Sequence, residues 1–213
     1  MGDALREGGT ISGMTSSLPW LVVGLGNPGA EYAHTRHNVG HMTIAALAAR
    51  AGATLGAHRT RTHTADIRVG TLPGGAPGPK VVIATCDSYM NTSGGPVGAL
   101  MKFLGLPPEN LLVVHDDLDL DAHELRLKRG GGEGGHNGLK SVSQVLGTRD
   151  YHRLRIGIGR PPGHQDPADY VLSQIPTRGR PEWEVTVEEA ADVVEDVVLR
   201  GFTEAQMTLH THS

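Results

Sequence analysis

Two side chains that could exchange protons lie far apart in the chain. His37 stands at the start of a helical pattern, and Asp116 follows an apolar run typical of a strand. A helix dipole disfavours a charged imidazole at a helix N-terminus, so we expect a neutral His37 ring that can accept a proton near pH 7. The best use of Asp116 is to pair with a histidine, because a carboxylate fixes the tautomer of the ring and stabilises the imidazolium formed during a reaction.

Metal ligation is an alternative use of this chemistry. His34, His37 and His41 have helical spacing, but no Cys, Asp or Glu completes a recognised metal signature with them. The acidic run 116–121 also fails as an EF-hand loop, since Ala122 replaces the required glycine and Lys128 the final glutamate. We therefore expect no metal. Three acids of the run suit turn capping better than catalysis: Asp117, Asp119 and Asp121.

A glycine-rich loop at 128–140 leads into a helical pattern and carries Lys and Arg at its start. Unhindered backbone N–H groups and a helix N-terminus together form an anion site, and the basic flank adds charge. The Gly-Lys-Ser/Thr ending of a Walker A loop is missing. The loop therefore predicts a phosphate-binding surface of another kind, with a merely flexible loop as the alternative.

Positive charge is concentrated in one part of the chain. The segment 126–160 holds eight Lys or Arg against two acids, a net charge of +6, so with −4 for the whole chain the remainder carries −10. Within it, the period of two at 153–158 sends aliphatic side chains to one face of a strand and Arg153 and Arg155 to the other. Gly157 and Gly159 leave that second face open to a ligand or a backbone. The segment predicts an electrostatic footprint for a polyanion, with a solvated basic face as the alternative.

The segment Gly24-Leu25-Gly26-Asn27-Pro28-Gly29 formally matches the G-x-G-x-x-G pattern of dinucleotide sites. That fingerprint needs a helix that starts inside the glycine run and an acid about 20 residues further on. Pro28 and the residues after it favour an irregular loop, and the first Asp beyond the first long helical pattern is Asp66. We expect no nicotinamide cofactor.

The elements that must position these residues alternate along the chain. Apolar runs predict strands at 20–24, 65–71, 80–85, 110–115 and 153–158, and helical patterns lie at 38–50, 96–104, 137–146 and 183–200. This alternation predicts an α/β fold: a single-domain, mixed and twisted β-sheet with helices on both faces. In such sheets, sites form beyond the carboxyl ends of the strands, where Asp116 stands.

The 213 residues suit one domain. We expect a disordered N-terminal extension at 1–19, the folded domain at 20–204 and a C-terminal tail at 205–213. The one cysteine, Cys86, permits no intramolecular disulfide and favours a reducing, cytoplasmic location. Residues 1–19 lack the apolar core of a signal peptide or a membrane span.

Five sequence blocks, taken together and in order, closely resemble the bacterial peptidyl-tRNA hydrolase family over residues 21–202. They are Gly24–Gly29 with Tyr32, Thr35–Gly40, Tyr89–Gly94, His115–Asp119 and Gly134–Lys140. The resemblance implies an esterase without a metal or other cofactor, which cleaves the bond between a peptide C-terminus and the terminal ribose of tRNA. It implies peptidyl-tRNA as partner, no membrane, and a monomer.

The resemblance also implies roles for individual residues. His37 would be the general base that activates water, and Asp116 would hold and polarise it. Asn27 and Asn91 would line the catalytic pocket and offer amide donors to the oxyanion. The remaining substrate-binding and tRNA-binding residues are Tyr32, Met90, Lys128, His136, Asn137 and Arg155.

Two other functions fit parts of the sequence. An RNA-binding module without chemistry would use the same basic segment, and an NADP-dependent reductase would use the early glycines. Cleavage of an N-blocked aminoacyl-tRNA separates the esterase from the first alternative, and a nicotinamide-induced thermal shift separates it from the second.

Overall fold

The computed structural model describes residues 18–211, which form a seven-stranded mixed sheet in the order β2-β3-β4-β1-β5-β7-β6. The strands are β1 Trp20–Gly24, β2 Gly56–His58, β3 Thr62–Arg68, β4 Lys80–Cys86, β5 Leu111–Asp117, β6 Leu125–Arg129 and β7 His152–Gly157. The central strands β4, β1, β5 and β7 are parallel, while β2, β3 and β6 pair antiparallel to their neighbours.

Helices cover both faces of the sheet. They are α1 Val39–Arg50, α2 Gly94–Leu104, α3 Asn137–Leu146, α4 Pro167–Val171, α5 Arg180–Arg200 and α6 Phe202–Thr211. One apolar cluster joins the sheet to α1, α5 and α6, and the other joins it to α2 and α3. The predicted α/β fold with helices on both faces is confirmed.

The central strands are buried on both faces, as parallel strands are when helices cover them. In β1, Val22 belongs to the α1 cluster and Val23 to the α2 cluster, and Val113 and Val114 divide in the same way in β5. This alternation fixes which side of the sheet each following residue reaches. It places His115 and Asp116, the next two residues of β5, on opposite sides.

Four elements were not predicted from the sequence: β2, β6, α4 and α6. Strand β6 was not predicted because three of its five residues are charged, Arg126, Lys128 and Arg129, and only two are apolar. The strand predicted at 65–71 lies at Thr62–Arg68, and 73–79 is the expected connection to β4. The early glycines lead into a loop, and the next α-helix begins only at Val39, as expected for a chain without the dinucleotide fingerprint.

Helix α6 runs across the boundary that the sequence analysis placed between 204 and 205. It covers the free edge of β6, where the Leu127 N–H donates to His210 Nε2 at 3.3 Å and the Gln206 side chain donates to the Leu127 carbonyl at 2.9 Å. Covering an edge strand in this way blocks pairing with another chain. Of the extension expected at 1–19, residues 1–17 lie outside the described residues, as do 212–213 of the expected tail.

Close backbone packing brings the start of α1 against the carboxyl ends of β1 and β5. A Cβ added at Gly24 would lie 2.2 Å from the Gly40 carbonyl oxygen, and one at Gly40 would lie 2.4 Å from the Val114 carbonyl oxygen. Gly157 is similarly restricted, since its Cβ would lie 2.0 Å from the Asp121 carbonyl oxygen. The bare face expected at Gly157 is therefore filled by backbone. Among the described residues, no helix has the length and apolar character needed to cross a membrane.

Candidate active site

The side chain of Asp116 lies at the centre of the site, at the carboxyl end of β5. It is buried, and each of its oxygens meets one histidine: Oδ2 lies 2.8 Å from His37 Nδ1, and Oδ1 lies 2.8 Å from His136 Nε2. His37 and Asp116 are 79 positions apart in sequence. The sheet brings them together because α1 follows β1, which is the direct neighbour of β5.

The hydrogen bonds assign the protons on both rings. His136 Nδ1 accepts the Leu139 N–H at 3.2 Å as the N-cap of α3, so the neutral ring carries its proton on Nε2 and donates it to Asp116. An ionised Asp116 can only accept, so His37 donates through Nδ1. The Nε2 lone pair of a neutral His37 is then left to take a proton.

Burial and the shared hydrogen bonds set the titration of this cluster. Burial would raise the pKa of Asp116, but the charges and hydrogen bonds of His37 and His136 together hold it well below its usual range. Burial lowers the pKa of His37, yet the charge and hydrogen bond of Asp116 outweigh burial and raise it. The expectation that a helix N-terminus disfavours a charged His37 ring was wrong: the ring lies in the 3-10 turn just before α1, and the charge and hydrogen bond of Asp116 raise its pKa despite burial.

His136 has no free nitrogen for a substrate. Nε2 is bonded to Asp116 and Nδ1 to Leu139, so the substrate-binding role assigned to His136 from the resemblance does not fit its nitrogens. Its ring centroid lies 5.1 Å from that of His37. The contacts favour a positioning role through Asp116.

Asn27 is held by three hydrogen bonds that fix its orientation. The Asn38 side chain accepts from the Asn27 N–H and donates to the Asn27 carbonyl, both at 2.9 Å. Asn27 Oδ1 accepts the Met90 N–H at 2.7 Å. Because its oxygen is engaged in this way, the amide group of Asn27 has its Nδ2 donor left for the cavity that the residue lines.

A cavity of about 570 Å³ opens over these groups. All but one of the site residues expected from the sequence line it: Asn27, His37, Met90, Asn91, Asp116, Lys128, His136, Asn137 and Arg155. Tyr32 is the exception. Its ring packs edge-on against Tyr89, 6.3 Å away, and Tyr89 itself lines the cavity.

Ion pairs offset much of the positive charge of the segment 126–160. Five of its arginines pair with carboxylates: Arg126 with Glu124, Arg129 with Asp150, Arg149 with Glu133, Arg155 with Asp117 and Arg160 with Asp119. Three of those carboxylates lie outside the segment, so counting charge along the sequence overstated the local field. Lys128 makes no ion pair within residues 18–211.

Arg153 serves the glycine-rich loop. It is buried, and its guanidinium donates to the carbonyls of Gly132 and Gly131 at 2.7 and 2.9 Å. The loop is therefore held on β7 by an arginine from the face that the strand pattern assigned to Arg153 and Arg155. This use of the charge is structural.

The histidines considered for a metal from their spacing do not converge. His41 is packed beneath Gly26, and burial lowers its pKa to about 4, while His34 is exposed. The residues that do cluster are His37, Asp116 and His136, whose ligand atoms lie within 4.8 Å of one another. To bind a metal through Nε2, a neutral His136 would carry its proton on Nδ1 and lose the Leu139 cap. These hydrogen bonds favour proton chemistry.

Sequence reasoning missed two residues that position the site. Asn38 was noticed only as part of a motif, and no local pattern shows that its side chain pairs with the backbone of Asn27. Arg36 donates to Ser173 Oγ at 2.6 Å and stacks on Tyr170 at 4.4 Å, which attaches the turn carrying His37 to the end of α4. A basic residue beside a histidine gives no signal of such a contact.

Comparison with known proteins gives one consistent result. A family model described as peptidyl-tRNA hydrolase matches residues 21–213. A peptidyl-tRNA hydrolase from Kineococcus radiotolerans is 56% identical over 191 residues, covering 90% of this chain and 96% of that protein. One from Nocardia farcinica is 53% identical over 195 residues, covering 92% and 98%. The crystal structure of the Acinetobacter baumannii enzyme aligns with a TM-score of 0.79 at 34% identity, covering 91% and 95%.

Asn38→Ala should destabilise the protein by about 2–4 kcal/mol, because it leaves the buried N–H and carbonyl of Asn27 without partners. Urea unfolding measures the loss. Asn110→Ala is the matched control: its amide donates to the Leu18 carbonyl at 3.1 Å in an exposed contact, and its loss should cost less than about 1 kcal/mol. Equal destabilisation by the two variants would contradict the positioning role of Asn38.

Proposed function

Since the chain belongs to the peptidyl-tRNA hydrolase family and hydrolyses the ester bond of peptidyl-tRNA, we propose that His37 is the general base of this reaction. The observation that carries the proposal is the 2.8 Å hydrogen bond between His37 Nδ1 and the buried Asp116, at the wall of the cavity. It leaves Nε2 as the proton acceptor and holds the ring in one orientation.

The reaction then needs one water and no covalent intermediate. His37 Nε2 takes a proton from the water while the water oxygen forms a bond to the ester carbonyl carbon. The tetrahedral intermediate collapses, the bond from that carbon to the ribose oxygen breaks, and the imidazolium returns the proton to the ribose oxygen. Asp116 keeps its negative charge throughout and stabilises the imidazolium between the two transfers.

Two amides supply donors to the developing oxyanion. Asn27 presents Nδ2 because Met90 and Asn38 hold the rest of its polar groups, and Asn91 follows Met90 on the same wall. One such donor contributes about 3 kcal/mol to the transition state. Asn137, at the start of α3 and on the cavity lining, orients the substrate or the water.

Met90 and Tyr32 shape the cleft. Met90 is buried against the first turn of α3, where its sulfur would lie 2.5 Å from a Cβ added at Gly138. Tyr32 acts through Tyr89, against which its ring packs. The peptide is held mainly by its backbone, which suits a hydrolase that accepts many peptide sequences.

Lys128 and Arg155 are the proposed contacts to tRNA phosphates. They lie on the neighbouring strands β6 and β7 and line the cavity, so a bound acceptor end would reach His37 from this side. Phosphate contacts give affinity without reading sequence, as an enzyme that serves every tRNA requires. We propose a monomer as the acting form, as the family resemblance implies, and a cytoplasmic location, since the one cysteine, Cys86, permits no intramolecular disulfide.

His37→Ala should lower kcat for hydrolysis of N-blocked aminoacyl-tRNA by about 10²–10⁴-fold, because general base catalysis is lost. Binding of deacylated tRNA should be unchanged, and a chelator should leave the wild-type rate as it is. His34→Ala is the matched control, since His34 is exposed and lies outside the cavity lining.

Full activity in His37→Ala would show that another group is the base. Loss of wild-type activity on chelation would instead require a metal at the cluster. Tight tRNA binding by a wild-type protein that never cleaves the ester would favour the RNA-binding module over the hydrolase.

Lys128→Ala should weaken tRNA binding and reduce the slope of log K against log salt by about 1, as expected for the loss of one phosphate contact. Lys102→Ala removes the same charge from an exposed site on α2 outside the cavity lining and serves as the control. A slope that is unchanged in Lys128→Ala, or changed equally in both variants, would contradict a direct contact.

A further inference from the structure

The cavity rim carries three carboxylates besides Asp116, and each one is paired with an arginine. Asp117 Oδ2 accepts from Arg155 Nε at 2.7 Å, and Glu133 Oε1 accepts from Arg149 Nε at 2.8 Å. Asp119 accepts from Arg160. Negative charge thus lies within the surface that must face a polyanion.

Two of these carboxylates, Asp117 and Glu133, are held ionised by their partners. Burial would raise the pKa of Asp117, but the hydrogen bonds from Arg155 and the Asp119 amide lower it. The hydrogen bond from Arg149 lowers the pKa of Glu133. Since both side chains are sheltered, at 15% and 10% exposure, solvent screens their charges less than it screens those of fully exposed acids.

Stability does not explain all three pairs. The pair between Asp119 and Arg160 is about half exposed at both ends, and such pairs contribute about 0–1 kcal/mol. Asp119 makes no other side-chain hydrogen bond among the described residues, so the folded turn does not depend on it. Asp117 differs, because its second oxygen accepts the Asp119 N–H at 2.8 Å and supports the turn.

The effect of these charges on tRNA follows from what substrate and product share. Both contain the whole tRNA, so phosphate contacts bind both equally and do not speed the chemical step. Tighter binding of tRNA would slow release of the product, and product release limits the turnover rate of many enzymes. A carboxylate beside an arginine lowers the local positive charge and competes with phosphate for the guanidinium.

We propose that Asp117, Asp119 and Glu133 weaken the hold of the enzyme on tRNA so that deacylated tRNA leaves after cleavage. The inference rests on the proposed tRNA contacts at Lys128 and Arg155. Lys128, which has no acidic partner within residues 18–211, remains the main phosphate contact. The paired arginines add to tRNA affinity only as far as phosphates compete with their carboxylates.

The test uses isosteric variants that remove one charge each, Asp119→Asn and Glu133→Gln. Asp150→Asn is the matched control. Asp150 pairs with Arg129 at 2.8 Å within the same basic segment, but Asp150 does not line the cavity, whereas Asp119 and Glu133 do. Thermal unfolding confirms that each variant is folded.

Binding of deacylated tRNA is measured over a range of salt concentrations. Asp119→Asn and Glu133→Gln should bind several-fold more tightly at low salt, with a slope steeper by about 1 for each arginine released to a phosphate. Under multiple turnover they should show a lower KM and stronger product inhibition. The single-turnover rate of ester cleavage at saturating enzyme should match that of the wild type, as should every measurement on Asp150→Asn.

Weaker tRNA binding by the rim variants would overturn the proposal and show that the carboxylates orient the arginines towards phosphates. Unchanged binding would contradict the proposal by showing that the ion pairs do not affect tRNA binding. An equal gain in Asp150→Asn would also contradict it, because the effect would then come from net charge alone and not from the cavity rim. Each of these results with normal single-turnover cleavage leaves the proposed reaction intact. Failure of the proposed reaction itself appears separately, as loss of the dependence on His37.

Discussion

One buried carboxylate, shared between two histidines, is the interaction on which the rest of the site depends. Asp116 accepts from His37 and His136 at 2.8 Å each, and the two donors come from separate segments, one before β5 and one after it. The close packing of Gly40 on the end of β5 and the N-cap of α3 by His136 bring the two rings to this one side chain. A shift of the start of α1 would therefore separate His37 from Asp116, and a shift of α3 would remove the second hydrogen bond, that of His136.

Burying a charge costs several kcal/mol unless hydrogen bonds replace the lost water. Here two N–H donors face the two oxygens of Asp116, so the ion persists and raises the pKa of His37. The same balance operates at the rim, where arginines hold Asp117 and Glu133 ionised. The protein thus uses paired charge twice: at the centre to prepare a base, and at the rim to moderate attraction for the phosphates of its substrate.

The sequence predicts the class of the fold, the four central strands and the residues that line the cavity. The fold class and the central strands succeed because strand periodicity is a local signal, as is the position of Asp116 after an apolar run. Most of the other lining residues were assigned only by the family resemblance, which also included Tyr32, a residue that does not line the cavity. The role of His136 and that of Asn38 could not be predicted, since each depends on which atoms meet in the folded chain, between His136 and Asp116 and between Asn38 and Asn27. The charge of the segment 126–160 was overestimated because Asp117 and Asp119 reach Arg155 and Arg160 only in the folded chain, and because Glu124, the partner of Arg126, lies just before the segment begins. Helix α6 was missed because it has few apolar residues, and it is stabilised by contacts with the exposed edge of β6 that the local sequence does not show.

The tautomer and pKa of His37, measured by titrating the ring in ¹⁵N-labelled protein by NMR, test the central claim most directly. The account predicts a neutral ring protonated on Nδ1, with a pKa above the ordinary value near 6.5 that falls when Asp116 is replaced by Asn. A ring protonated on Nε2, or a pKa that does not respond to Asp116→Asn, would contradict it.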